Sequence, residues 1–195
     1  MNLAVIGKTF VGKSSLIYRK LGCYYELEHE HDPTIGDYRY STQVIIDNKP
    51  YNIQLIETFY SEEYSECFDS EIDPGEGFLL LFAINDKDSF NFLKGKIERI
   101  LKLKNGLQTP MILVGNKLDL KDDRQVEYNE AKQLANSFGI DYIEISAKKN
   151  LNCDEAIEKL TILTFRLKKK SSQNQEPIFV TLSNIIFTFY HKLNS

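Results

Sequence analysis

The first residues with chemistry in them are Gly7-Lys8-Thr9-Phe10-Val11-Gly12-Lys13-Ser14. Their spacing, G-x-x-x-x-G-K-S, is that of a phosphate-binding loop. Gly7 and Gly12 let the backbone curl, so that N–H groups of the stretch, through Thr9, Phe10 and Val11, face phosphate oxygens. The Lys13 ammonium suits β- and γ-phosphates, and the Ser14 hydroxyl suits Mg²⁺. Ser15 follows at the start of a helix whose positive dipole end adds to anion binding. Two later stretches suit a base. The Asp119 carboxylate of Asn116-Lys117-Leu118-Asp119 matches the two N–H groups at guanine N1 and N2, a pair that adenine does not present. The backbone N–H groups of Ser146-Ala147-Lys148 suit guanine O6.

These stretches need a scaffold that brings them to one place. Leu3-Ala4-Val5-Ile6 is an apolar run directly before the loop, and the spacing predicts a strand over 2–7 and a helix over 14–21. Residues 40–46 and 51–56 read as strands joined by the turn residues Asp47-Asn48-Lys49-Pro50, a hairpin. The continuous apolar run 78–84 reads as a central strand buried on both faces. A helical period covers 89–104 and ends before Gly106 and Pro110; strand 111–115, helix 128–138, strand 142–145 and helix 153–168 follow. Asn152, with Glu155 three residues on, reads as the N-cap of that last helix. The expected class is α/β: a six-stranded, mostly parallel sheet with helices on both faces and one antiparallel edge. Ligands of such sheets sit beyond the carboxyl ends of the strands. The phosphate loop and the loops after 56, 115 and 145 all fall there. Residues 22–37 and 58–76 are polar, irregular segments too long to be plain connectors.

The chain has 195 residues, 42% hydrophobic and 27% charged, enough for one ordinary domain with a sizeable core. A net charge of −4 gives no global footprint for nucleic acid. Cys23, Cys67 and Cys153 are scattered, with no zinc or disulfide spacing, and suggest reduced thiols of a cytoplasmic protein. We expect no signal peptide, since a strand begins at once, and no apolar run is long enough to span a bilayer.

Taken in order, G-x-x-x-x-G-K-S, Asp32-Pro33-Thr34-Ile35, Asn116-Lys117-Leu118-Asp119 and Ser146-Ala147-Lys148 resemble a Ras-superfamily small GTPase over about residues 1–169. Gly75 to Phe90 and Ser137-Phe138-Gly139-Ile140 resemble the Ras subfamily in particular. The resemblance implies a P-loop NTPase G domain over 1–170, followed by a linker and apolar tail over 171–195. It implies GTP or GDP with Mg²⁺ as ligands, and a signalling switch that hydrolyses GTP. Lys13 and Ser14 would contact phosphate and Mg²⁺, and Thr34 would hold Mg²⁺ and the γ-phosphate. Asn116, Lys117 and Asp119 would read guanine, with Ser146, Ala147 and Lys148 as the second base loop. The position counted for the aromatic that stacks on guanine is Leu27, with Tyr24 or Tyr25 as substitutes. An effector at 32–40, an exchange factor and an activator are implied as partners.

The second switch departs from the family. Glu57-Thr58-Phe59-Tyr60-Ser61 stands where the family has D-T-A-G-Q. Glu57 keeps a carboxylate near Mg²⁺, one methylene longer, in a contact that often runs through water. Tyr60 lacks glycine's freedom, and Ser61 is too short to orient the attacking water as that glutamine does. Thr9 and Phe10 stand where the family has two glycines, and a side chain at Thr9 would crowd a glutamine or an arginine finger. We expect slow hydrolysis, with Lys13 and Thr34 contributing; Glu62, Glu63 or Lys8 are alternative holders of the water. The reading from another class is a nucleotide-stabilised interaction module that does not cycle. His29 and His31 read as part of a solvated loop. The chain ends without a cysteine after Cys153, so no prenylation is expected. Apolar residues 178–190 suit packing, a partner or a membrane surface.

Overall fold

A computed structural model describes residues 1–22, 38–58, 72, 74–104 and 108–174, with side chains to residue 170. The chain divides into two compact units, Met1–Thr164 and Phe165–Ser195. In the first, β1 (Asn2–Ile6), α1 (Lys13–Lys20), β2 (Tyr38–Ile46), β3 (Lys49–Glu57) and β4 (Gly77–Ala83) are followed by α2 (Lys87–Leu103) and β5 (Met111–Asn116). A 3₁₀ segment (Leu118–Asp123), α3 (Tyr128–Ser137), β6 (Asp141–Glu144) and α4 (Cys153–Asn174) complete the order. Of the second unit, the described part is the end of α4. The helix continues through Ser171–Asn174, a stretch whose composition reads as linker.

The six strands lie in the order β2-β3-β1-β4-β5-β6, with β2–β3 antiparallel and all other pairs parallel. The expected class holds. β1 lies between β3 and β4, with β2 and β3 on one side and β4, β5 and β6 on the other, so the order reverses at β1. That is where a crevice opens at the carboxyl ends of parallel strands. Alternation along each strand feeds two cores. Leu3, Val5, Leu79 and Leu81 join Leu16 and Ile17 of α1 and Ile157 and Leu160 of α4 on one face. Ala4, Ile6, Phe78, Leu80 and Phe82 join Phe90, Leu93 and Ile97 of α2 and Ala131 and Ala135 of α3 on the other. β4 is buried at every position, as its unbroken apolar run predicts.

Several boundaries differ for local reasons. The hairpin turn is two residues, not four: Asp47 and Asn48 both take left-handed φ, 50° and 59°, the pattern of a type I′ turn. Lys49 and Pro50 therefore belong to β3, with Pro50 opposite Ile45. Pro50 costs no ladder bond, because the β1–β3 pairing starts only at Asn2 and Gln54. Helix α2 starts at Lys87 because the Asp86 carboxylate caps it, accepting from the Ser89 N–H at 3.0 Å. Asn152 lies at the entry to α4 in a left-handed conformation, φ 57°, and its side-chain amide donates to the Glu144 carbonyl at 2.9 Å. It ties the helix entry to β6 where a capping contact was expected.

Among the described residues, no helix is long and apolar enough to cross a membrane. Phe82 is fully buried, with ring centroids of Phe90 and Tyr142 at 5.0 and 6.2 Å. Phe82→Ala should cost about 3–5 kcal/mol, read as a lower urea midpoint with an unchanged m value.

Candidate functional site

Residues 7–14 turn sharply off the end of β1 under the neighbouring loops. A Cβ on Gly7 would stand 2.3 Å from the Leu81 carbonyl oxygen of β4. Phe10 and Gly12 both take left-handed φ, 65° and 96°. A Cβ on Gly12 would stand 2.3 Å from the Asn116 amide nitrogen. That nitrogen is a fixed point: it donates to the Val11 carbonyl at 2.8 Å, and the same side chain's Oδ1 accepts from the Ala147 N–H at 3.0 Å. Asn116 is 2% exposed. One buried amide thus joins the phosphate loop, the loop after β5 and the loop after β6. The sequence assigned Asn116 to the base; its bridging role is visible only in three dimensions.

Lys13 folds back over its own loop, its ammonium donating to the Gly7 and Lys8 carbonyls at 3.1 and 3.0 Å. Its charge is thereby held against the loop whose N–H groups would face a phosphate. Ser15 is half-buried in the first turn of α1, and the Thr9 side chain is half-exposed at the loop crest. Phe10 is exposed.

Glu57 comes to the site because β3 runs parallel to β1 with Glu57 opposite Val5. Thr58 fixes the strand end: its N–H and hydroxyl both donate to the Val5 carbonyl, at 3.2 and 3.0 Å. The Glu57 carboxylate is 2% exposed, and Oε1 accepts from the Ser14 hydroxyl at 2.5 Å. Its Oε2 is buried without a hydrogen-bond partner among the described residues. A buried acceptor in that condition is costly unless something fills it. Two oxygen donors side by side, one carboxylate and one hydroxyl, are the hard ligands that Mg²⁺ takes when phosphate and water complete its shell. The residues present fit the ion. Among the described residues, no three His, Cys, Asp or Glu gather into a metal cage.

The loops after β5 and β6 are built with the same economy. Lys117 takes a left-handed φ of 66° and starts the 3₁₀ segment, which brings Asp119 back toward β6. The Leu118 N–H donates to the Ile145 carbonyl at 3.0 Å. The Ser146 hydroxyl donates to Asp119 Oδ1 and accepts from the Lys149 N–H at 3.1 Å. Ser146 and Leu151 exchange backbone bonds at 3.0 Å, closing the loop that holds Ala147 and the exposed Lys148. Lys8, one alternative water holder, lies in the loop. Thr34, Tyr24, Tyr25, Leu27, His29, His31, Tyr60, Ser61, Glu62, Glu63, most of the 32–40 stretch and the 178–190 tail lie outside the described residues.

Sequence reasoning missed a second brace. Arg124, at the end of what reads as a plain charged loop, grips Glu144 of β6 bidentately at 2.7 and 2.9 Å, and Tyr142 donates to the same carboxylate at 2.7 Å. The Glu144 hydrogen bond holds the guanidinium above its ordinary pKa, against the opposing effect of burial. Burial, followed by the bond to Glu144, pushes the Tyr142 phenol up. These partners are 20 residues apart, and no periodicity announces them.

The family model described as "Ras family" matches residues 2–165. Over 158 residues, or 81% of this chain, it is 39% identical to "Ras-like protein 2" of Drosophila melanogaster and 38% identical to "Ras-like protein RAS2" of Hydra vulgaris, covering 81% of each. It is 37% identical over the same length to "Ras-like protein 1" of Saccharomyces cerevisiae, and spans half the length of that relative.

Two outcomes are expected. Gly12→Ala should destabilise the fold by about 1–2 kcal/mol of backbone strain plus the clash with the Asn116 amide, and only the clash should disappear in an Asn116→Ala background. Urea unfolding of the double-mutant cycle measures that difference. The second concerns Cys153, which opens α4 at 2% exposure; burial pushes its thiol up to about 11. The folded state therefore keeps a proton that the unfolded chain releases near pH 9. Stability should fall as pH rises from about 9 to 11, and Cys153→Ala should flatten the first part of that slope in unfolding curves.

Proposed function

This chain belongs to the Ras family and is a Ras-like GTP-binding signalling switch; on that premise we propose that it holds GTP or GDP with Mg²⁺ in the site around Asn116 and turns GTP over slowly. The observation that carries the reading of the site is the Asn116 bridge, which sets a phosphate loop and a guanine-reading loop against each other at a fixed separation. In this reading the Lys13 ammonium and the loop N–H groups receive the phosphates. Asp119, its carboxylate oriented by Ser146, accepts from guanine N1 and N2, and, with the Ser146, Ala147 and Lys149 N–H groups taken within the site, the Lys148 N–H meets O6. Ser14 and Glu57, with Thr34 of the first switch, hold Mg²⁺, which when bound neutralises charge on the phosphate oxygens.

Slow turnover rests on residues at which this chain departs from its family. Ser61 leaves no glutamine to orient a water, and Tyr60 removes a glycine from the segment that would close over the γ-phosphate. Thr9 and Phe10 put side chains where an arginine finger would enter, an element worth 10³–10⁵ in rate. An effector strand has a place to add. β2 is the edge strand of the sheet, and Tyr38, 46% exposed, stacks on Tyr40, whose ring meets Tyr18 edge-on at 5.9 Å. Exchange factor, activator and any contact by residues 178–190 complete the proposed partners.

Single-turnover hydrolysis of bound GTP tests this, together with the nucleotide that co-purifies. The expected result is retained GTP and a rate at least about tenfold below that of a glutamine-bearing relative, since losing a water-positioning group costs at least that factor. Equal rates would refute slow turnover. A site that purifies empty and takes up no added nucleotide would favour the non-cycling interaction module.

A further inference from the structure

Helix α1 has a second end. Its first turn carries Lys13 and Ser14; its last carries Arg19 and Lys20. The Arg19 guanidinium donates from Nε to the Ala147 carbonyl and from Nη2 to the Lys148 carbonyl, both at 2.8 Å. These are consecutive carbonyls of the base loop, reached across 128 and 129 residues of sequence. In a planar trans peptide the C=O of one residue and the N–H of the next point opposite ways. Two adjacent carbonyls held on Arg19 therefore turn the N–H groups of Lys148 and Lys149 away from it. The Lys149 N–H is taken by the Ser146 hydroxyl, the same hydroxyl that donates to Asp119. The Ala147 N–H lies on Asn116. Every peptide plane of 146–149 is thus set by a side chain outside the loop or by Ser146.

The strut that presents Arg19 is firm. Leu16 and Ile17 are fully buried in the core beneath α1. Lys20, next in sequence, pairs with Asp154 at 2.7 Å and with Glu158 at 3.8 Å on α4. A guanidinium suits this work because its donors form a rigid planar fork, which a lysine ammonium cannot reproduce.

We propose that Arg19 is a positioning residue for guanine. It holds the two peptide planes of the base loop so that the Lys148 N–H, turned away from the guanidinium, faces the O6 side of the base while the Lys149 N–H stays on the Ser146 hydroxyl, and it does so from the helix whose other end holds the phosphates. The inference rests on the guanine reading above and adds to it a residue that touches no part of the nucleotide. Its loss should weaken the grip on the base edge and leave the grip on phosphate unchanged.

The test compares two nucleotides on the full chain: GDP, and the diphosphate of 2-aminopurine riboside, which keeps the N2 amino group and lacks both O6 and the N1–H. Wild-type protein should prefer GDP. Arg19→Ala should lower GDP affinity about tenfold, the value of one hydrogen bond to an oriented loop, and leave affinity for the O6-lacking analogue within about twofold, so that the preference shrinks about tenfold to the part that Asp119 supplies through N1–H. Arg19→Lys keeps the charge and stem, loses the fork, and should fall between the two; it gives the same ratio should the alanine variant fail to fold. Unchanged GDP affinity in both variants would overturn the proposal. So would an equal loss for both nucleotides, which marks a purely structural role. A wild-type protein with no preference for GDP would instead sink the guanine reading itself, and the proposal with it.

Discussion

The arrangement depends on one buried carboxamide. Asn116 is a donor to one loop and an acceptor from another, and only a neutral side chain with both functions can do that without a charge to desolvate. Its position is set by β5, buried at all its residues, so the amide is delivered by the rigid centre of the sheet. Gly12 is the reciprocal constraint: its missing side chain makes the space in which the amide nitrogen sits. Sheet, loop and residue type are therefore not independent choices. A substitution at any of the three is felt at the others, as expected of contacts inside a close-packed interior.

Around that point the molecule separates labour by layer. α1 and α4 cover one face of the sheet and α2 and α3 the other, so that both faces of the central strands are apolar. The polar work is left to the strand ends. There the chain uses left-handed residues, Phe10, Gly12 and Lys117, to change direction within a few residues. Phe10 is the unusual member, because a bulky side chain disfavours that conformation. Such strain persists only where the surroundings dictate the backbone, and the lysine and asparagine bonds across the loop supply that dictation.

The sequence made legible whatever local chemistry imposes. Gly7, Gly12, Lys13 and Ser14 were readable because a loop wrapped on phosphate leaves little choice of residue, and β4 was readable because a strand covered on both faces has no polar positions. The Asp47-Asn48 turn was seen but taken as too long, since its left-handed pair is defined by torsion and not by composition. Asn152 showed capping chemistry and uses its amide elsewhere. Arg19 and the Arg124–Glu144 brace were not legible at all. Their partners are distant in sequence, and a charged residue on a polar stretch looks the same whether solvated or clamped. Helix α4 ran past its expected end because Ser171 and Ser172 weaken a helix without stopping it.

Glu57 carries a last consequence. One oxygen of a buried carboxylate is bonded to Ser14 and the other to nothing among the described residues, so the described part of the interior leaves an acceptor open. A cation with its nucleotide, held there as proposed, would act as a component of the fold as well as cargo. Ligand present at a thousand times its dissociation constant contributes about 4 kcal/mol to stability, a large share of what a domain of this size possesses. The amount of intact protein a cell holds would follow its nucleotide supply, and the bare chain between one nucleotide and the next would be the form most exposed to proteases.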